Sequence, residues 1–296
     1  MMEQSFRIVG LGEVLWDVFP DQIHFGGAAA NYACHAQMLG GQVSLVSCVG
    51  QDSLGEQAVD FLKQRQIDTS AVAQSSSYPT GTVQITLDSK GKPDFEIKAD
   101  VAWDFIPWTE QVEKLALQTE AVCFGSLGQR SKTSQQTIHQ LLKATSEDCL
   151  RIFDINLRQD YYNSDLIESS LELSEVLKLN DDELAVVSSI FGLTGTQIAQ
   201  IEQLKKRFSL QLVALTRGEK GSVLVADEGI FEHSGLAVGI QDTVGAGDAF
   251  TATLTIGLLQ QSDLQAVNEH ANRVAAYVCS QAGAVPTLPS ELLQFS

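Results

Sequence analysis

Basic residues are scarce in this chain. Lys and Arg number 19 against 37 Asp and Glu, a formal charge of −18 over 296 residues. That balance makes nucleic acid and anionic membranes poor partners, because phosphate polymers need clustered Lys and Arg. A small anion such as a nucleotide is still compatible with it, since a few local donors and Mg²⁺ suffice to hold one. Cysteines in disulfide or zinc spacing are also missing: Cys34, Cys48, Cys123, Cys149 and Cys279 are odd in number, and none forms a Cys-x-x-Cys pair. A reducing cytoplasm is the expected compartment. The five histidines show no metal spacing, so no His-based metal site is expected. The start, MMEQSFRIVGLGEVL, lacks a basic segment followed by a long apolar one, and no secretory leader is expected. No run of 18 apolar residues is present to cross a bilayer.

The composition, 44% hydrophobic and 19% charged, is that of a globular chain with a sizeable core. Short apolar segments such as FRIVG, QVSLVSCVG, AVCFGS, LRIFD, EVLKLN and LQLVALT alternate with helical patterns such as GGAAANYACHAQMLG, GEQAVDFLKQRQ and IAQIEQLKKRF. That alternation predicts parallel βαβ units. One stretch breaks the rhythm. In TGTVQITLDSKGKPDFEIKADVAWDF, Val83, Ile85 and Leu87 share one strand face, Thr82, Gln84 and Thr86 the other, and SKGKP supplies a turn. Phe95 and Ile97 continue the alternation on the return strand. This hairpin is either set apart from the main sheet, as a lid or an oligomer contact, or an edge extension of it.

Ligands of open parallel sheets gather outside the carboxyl ends of the strands, so polar residues there carry information. In DTVGAGDAF, Gly245, Ala246 and Gly247 fall at the start of a helical run, where unpaired amides and the helix dipole attract an anion, and Asp248 follows at once. A plain Gly-rich turn accounts for the spacing about as well. No Gly-Lys-Ser/Thr follows, which excludes a Walker A loop. In DINLR, Asp154, Asn156 and Arg158 share one face if the strand stays extended; they offer either a phosphate grip or an internal Asp154–Arg158 ion pair. In LNDDE, Asn180 and Glu183 have the spacing of a capping box, with a role in orienting Mg²⁺-bound water as the alternative. Asp17, reading as the end of the first strand, and GGAAAN, with Gly27 and Asn31, form a set suited to sugar hydroxyls or to a helix cap.

Taken together these segments resemble the ribokinase-like (PfkB-type) carbohydrate kinases, over nearly the whole chain from GLGEVLWD to GAVPTLP. DTVGAGDAF matches the family's C-terminal signature, and GGAAAN with VGQDSLGE downstream matches its N-terminal one. NDDE matches its Asn-x-x-Glu motif, and LTRGEKGS its strand–turn–strand beside the nucleotide. The resemblance implies a three-layer α/β/α fold with a central, mostly parallel sheet. It also implies one kinase domain over residues 1–296, with a small β lid or hairpin excursion at about 80–106. The implied reaction moves the ATP γ-phosphoryl group to a primary hydroxyl of a small sugar.

On that resemblance Asp248 is the catalytic base, kept ionised by its helix N-terminus, and Gly245, Ala246 and Gly247 form the anion hole. Asn180 and Glu183 help place Mg²⁺ and its waters. Thr216, Gly218 and Gly221 lie at the nucleotide, with Asn272 near the adenine. Asp17, Gly27 and Asn31 hold the sugar, and Arg158 is a phosphate or sugar-lid contact. SQAGAVPTLP with Asp242 resembles a monovalent cation site, which implies K⁺, and a homodimer through the hairpin is implied too. Two departures stand out: Ala252 and Thr253 follow the signature where the family favours Gly and Ala, and eight residues separate Asp17 from Gly26, so a first lid strand is expected to be nearly absent. That shortness, with GEVLWDVFP and VAWDFIPWT, looks like bacterial fructokinases, so fructose is the expected sugar. Ribose and 2-keto-3-deoxygluconate are the alternatives within the class. From other classes, a catalytically silent sugar- or nucleotide-binding regulator requires loss of the signature aspartate, which is present. A dinucleotide-dependent oxidoreductase requires a third glycine that GLGEVL lacks.

Overall fold

The computed structural model describes residues 5–87 and 93–294. The first half runs β1 (Arg7–Leu11), β2 (Leu15–Val18), β3 (Ile23–Gly26), α1 (Ala28–Met38), β4 (Gln42–Gly50), α2 (Ser53–Gln64), β5 (Val72–Ser75), β6 (Gly81–Leu87), β7 (Pro93–Ile97), α3 (Glu110–Gln118), β8 (Ala121–Phe124) and α4 (Lys132–Ala144). The second runs β9 (Leu150–Asp154), α5 (Ser164–Leu171), β10 (Val176–Asn180), α6 (Asp181–Phe191), α7 (Gln197–Phe208), β11 (Leu212–Thr216), β12 (Ser222–Ala226), β13 (Gly229–His233), α8 (Ala246–Leu259) and α9 (Leu264–Cys279).

Nine of these strands form one sheet in the order β13-β12-β11-β10-β9-β8-β1-β4-β5. Pairing is parallel from β5 through β11, and β12 and β13 close one side antiparallel. Alternate strand residues feed opposite faces, as a two-residue period requires. Ile8, Cys123, Ile152, Leu212 and Ala214 meet α1, α2, α8 and α9, whereas Val9, Phe124, Phe153, Val213 and Leu215 meet α3 to α7. Those two apolar layers are the core, and both sheet faces are covered, as βαβ crossovers demand. Helix α8 is buried on all sides from Ala249 to Gly257. The hydroxyls of Thr253 and Thr255 donate to carbonyls four residues back, at 2.8 Å each, so threonine is accommodated in this apolar setting. Among the described residues no helix is long and apolar enough to cross a membrane.

A second, smaller sheet has the order β3-β2-β6-β7. The hairpin strands β6 and β7 therefore do not extend the edge of the main sheet. Val83, Ile85 and Ile97 pack with Leu15 and Trp103 in a core of their own, while Phe95 is half exposed. The expected Ser89–Pro93 turn lies outside the described residues except for Pro93. The short segment between Asp17 and Gly26 departs from expectation. It is not a lost strand but a tight hairpin, β2–β3, and β2 pairs with β6 in parallel. Asp17 accordingly sits on the second strand, in the small sheet, and does not end the first.

Candidate active site

Side-chain bonds bring together the start of α1, the start of α8, the segment after β1, the end of β9 and strand β10. Helix α8 begins after Gly245, which adopts a left-handed φ of 80°. A side chain there would place its Cβ 2.2 Å from the Ala284 carbonyl oxygen, so the turn requires glycine. No side chain caps the amides that follow. They form an open set of donors reinforced by the dipole of a long helix, which suits an anion. Asp248 stands in that first turn, and its Oδ2 accepts a hydrogen bond of 2.9 Å from Asn31 Nδ2 of α1. Two segments 217 residues apart in sequence are thus joined at one carboxylate.

Burial and the nearby Asp154 charge raise the Asp248 pKa to about 7, against the pull of Asn31, Lys178 and Arg158. The expectation that the helix terminus keeps this group fully ionised at neutral pH is therefore corrected. Desolvation outweighs the dipole, because the dipole contributes at most about 2 kcal/mol while removing a carboxylate from water costs several.

The DINLR segment also departs from expectation. Strand β9 stops at Asp154, and Asn156 has a φ of 40°, so alternation onto one face ends there. No Asp154–Arg158 pair forms. Asp154 instead accepts from Lys178 Nζ at 3.0 Å and from Thr251 Oγ1 at 2.7 Å, which ties β10 and α8 to β9. Arg158 is exposed, and its charge reaches Asp248, Asp17 and Glu13, which places it on the same cleft.

Lys178 and Glu13 are the residues that sequence reasoning missed. Lys178 is buried, and its ammonium lies 3.0 Å from where a Gly247 side chain would begin. Its partners hold its pKa above the usual lysine range despite the opposing effect of burial, so it remains a cation under the α8 amides. The available signal was a charge inside the apolar run EVLKLN. Glu13 is buried at the end of GLGE, and its Oε1 accepts the Ala28 amide at 3.0 Å, which fixes the start of α1. Burial raises its pKa, and the Ala28 amide, Arg158 and Arg130 oppose that rise. Gly27 packs directly on the Glu13 backbone in the same turn. Asp17 has its pKa raised to about 6, chiefly by burial, with His24 and Arg158 opposing.

Asn180 and Glu183 form a complete capping box, with 2.8 Å bonds in each direction. Glu183 Oε1 also accepts the Leu157 amide at 3.0 Å, so both of its oxygens hold main-chain donors. Thr216 lies opposite Asn180 in the β10–β11 register. The turn between Gly218 and Gly221 borders an open cleft of about 850 Å³, lined by Arg217, Glu219, Lys220, His233 and Leu236 among others. Asn272 faces the interior, where its Nδ2 donates to Ser222 Oγ at 2.6 Å and to the Asn268 carbonyl at 2.8 Å. Asp242 accepts the Val244 amide at 3.0 Å and the Gly283 amide at 3.2 Å, joining the two loops that flank Gly245.

A nine-stranded sheet between two helical layers, with a small separate sheet, is the ribokinase-like fold. Residues 9–291 match the pfkB family carbohydrate kinases, and the chain belongs to that family. It is 31% identical over 265 residues to a fructokinase of Klebsiella pneumoniae, covering 85% of this chain and 84% of that one. An uncharacterized sugar kinase from Pyrococcus horikoshii in complex with ATP is similar in structure, with a TM-score of 0.79, 28% identity and 94% of each chain covered. A fructokinase with bound ATP from Xylella fastidiosa shares the fold, with a TM-score of 0.86, 22% identity and 97% coverage of each chain.

Proposed function

We propose that this protein transfers the γ-phosphoryl group of ATP to a primary hydroxyl of an uncharged sugar, with fructose as substrate and fructose 6-phosphate as product. The observation that carries the reading is the Asn31–Asp248 bond beside the uncapped α8 amides, at 2.9 Å. It sets a carboxylate, positioned for a hydroxyl, next to donors positioned for a phosphoryl group. Phosphoryl transfer through a loose transition state asks mainly for such alignment and charge stabilisation. Asp248 orients the sugar hydroxyl and accepts its proton as the new P–O bond makes that oxygen acidic. The amides of the Gly245–Gly247 turn, with the Lys178 charge beneath Gly247, stabilise the phosphoryl oxygens. Asp17, Gly27 and Asn31 border the sugar from the small sheet and α1, and the 850 Å³ cleft beside Gly218 and Gly221 accepts the nucleotide.

A Mg²⁺ ion bound with the nucleotide would supply charge neutralisation at its phosphates. Both Glu183 oxygens hold amides, and no cluster of three or more metal-ligating side chains exists among the described residues. With both oxygens so engaged, Glu183 would act on such an ion through water and not as a direct ligand. The balance of charge on the sugar side favours a neutral substrate: Glu13, Asp17 and Asp248 share the field of Arg158, while Arg130 and Lys178 are already paired with Asp104 and Asp154. The carboxylate of 2-keto-3-deoxygluconate meets repulsion there that fructose does not. A coupled assay with fructose, ribose, 2-keto-3-deoxygluconate and adenosine at fixed Mg·ATP tests the reading. Fructose should give the highest kcat/KM, a preference for another sugar corrects the substrate, and no phosphorylated product from any of them removes the kinase assignment.

A further inference from the structure

One buried group near this site has no part in the chemistry above. His35 lies on α1 one turn after Asn31, so the two side chains leave the same face of the helix. It is fully buried, and its Nε2 lies 2.9 Å from the carbonyl oxygen of Ala284. A carbonyl only accepts, so Nε2 carries the proton. Nδ1 is then the acceptor, buried with no hydrogen-bond partner, and burial lowers the ring pKa to about 4. The ring is thus a neutral donor locked in one tautomer.

The carbonyl it holds is the one against which Gly245 packs. Gly245 in turn sets the direction of the amides at the start of α8. Helix α1 therefore grips the transfer site at two points: Asn31 on the Asp248 carboxylate at 2.9 Å, and His35 on the backbone beneath Gly245 at 2.9 Å. Its own first turn is fixed by Glu13 through the Ala28 amide.

We infer that His35 is a positioning residue for phosphoryl transfer, which registers the sugar-side helix α1 against the amide nest of α8 through Ala284. This inference rests on the kinase reading of the same site. A hydrophobic ring or methyl group would fill the space, whereas a donor aimed at one carbonyl fixes an orientation. A displacement of the nest by about 1 Å misaligns the phosphoryl group, and misplacement of that size can cost up to about a hundredfold in rate. The ring touches neither reactant, so affinity should change less than turnover.

The test compares His35→Met, which fills the space without a donor, with His35→Gln, which keeps one. Concentrations of active protein come from tight-binding titration, and melting temperatures are recorded in parallel. His35→Met is expected to lower kcat about tenfold or more, with KM for sugar and ATP within about threefold of the unaltered protein. His35→Gln is expected to recover kcat to within about threefold. Should His35→Met fail to fold, His35→Asn, whose shorter amide falls short of Ala284, takes its place with the same expectations. If the donorless variant turns over at the unaltered rate per active site, or Gln and Met are equally impaired, the inference is overturned and the kinase reading stands. If the unaltered protein phosphorylates nothing, the kinase reading falls and takes this inference with it.

Discussion

Asp248 has to be ionised to accept a proton, yet its surroundings favour the neutral acid until about pH 7. For a base of this kind kcat/KM should rise with pH and level off above about 7, as a pH–rate profile on the free enzyme will show. Asp248→Asn should cut kcat by roughly 10²–10⁴-fold while leaving nucleotide and sugar affinity largely intact. Near-normal turnover in that variant removes Asp248 from the role. The same shift has a stability consequence with the opposite sign from that of most aspartates. The folded pKa lies above the ordinary aspartate value of 3.8, so the stability linked to this proton is fully present below about pH 4 and is lost as pH rises through about 7. Asp248→Asn should therefore gain in melting temperature relative to the unaltered protein as pH is raised from 5 to 8. A constant difference across that range contradicts the raised pKa.

At the scale of elements, two helix starts do different work. Helix α8 starts with an uncapped glycine turn, and Gly245→Ala combines a left-handed φ with a clash on Ala284, which should cost about 1–3 kcal/mol in urea unfolding along with activity. Helix α6 starts with a reciprocal box in which Glu183 accepts the Asn180 and Leu157 amides. Glu183→Gln leaves only one acceptor for these two donors and should lower stability by about 1 kcal/mol. On the proposed function it should also raise the Mg²⁺ concentration giving half-maximal rate; an unchanged requirement leaves Glu183 as a cap alone. The sequence showed both turns by residue type and spacing. It could not show that β9 ends at Asp154, because the left-handed Asn156 follows a run that still alternates.

At the scale of the whole molecule, the small sheet is fastened to the large one beside the site. Gln159 Nε2 donates to the Phe95 carbonyl at 2.7 Å, and the Tyr161 hydroxyl donates to the Ile97 carbonyl at 3.3 Å. Arg130, buried on Trp103 and paired with Asp104 at 2.7 Å, donates to the Lys98 carbonyl at 2.5 Å. Strand β7 is thus tied to the loop that carries Arg158. Gln159→Ala with Tyr161→Phe removes two of these bonds, one at exposed Gln159 and one at part-buried Tyr161, whose ring the Phe keeps. That double variant should raise the KM for sugar about five- to thirtyfold, from about 0.5–1 kcal/mol per bond, with the KM for ATP unchanged. Equal changes in both KM values, or none, would argue against the small sheet acting on the sugar side.

The sequence by itself determined the alternation of strands and helices, the two glycine turns, the capping pair and the family, because each is written in local spacing or a short motif. Only the tertiary structure decided that Asn31 meets Asp248, that Asp154 takes Lys178 in preference to Arg158, that β2 and β3 build the small sheet, and that Asp248 titrates near pH 7. The reason is physical. Hydrogen bonding between distant segments and loss of water around a carboxylate depend on what packing brings together, and no local pattern encodes the neighbour that arrives from 217 residues away.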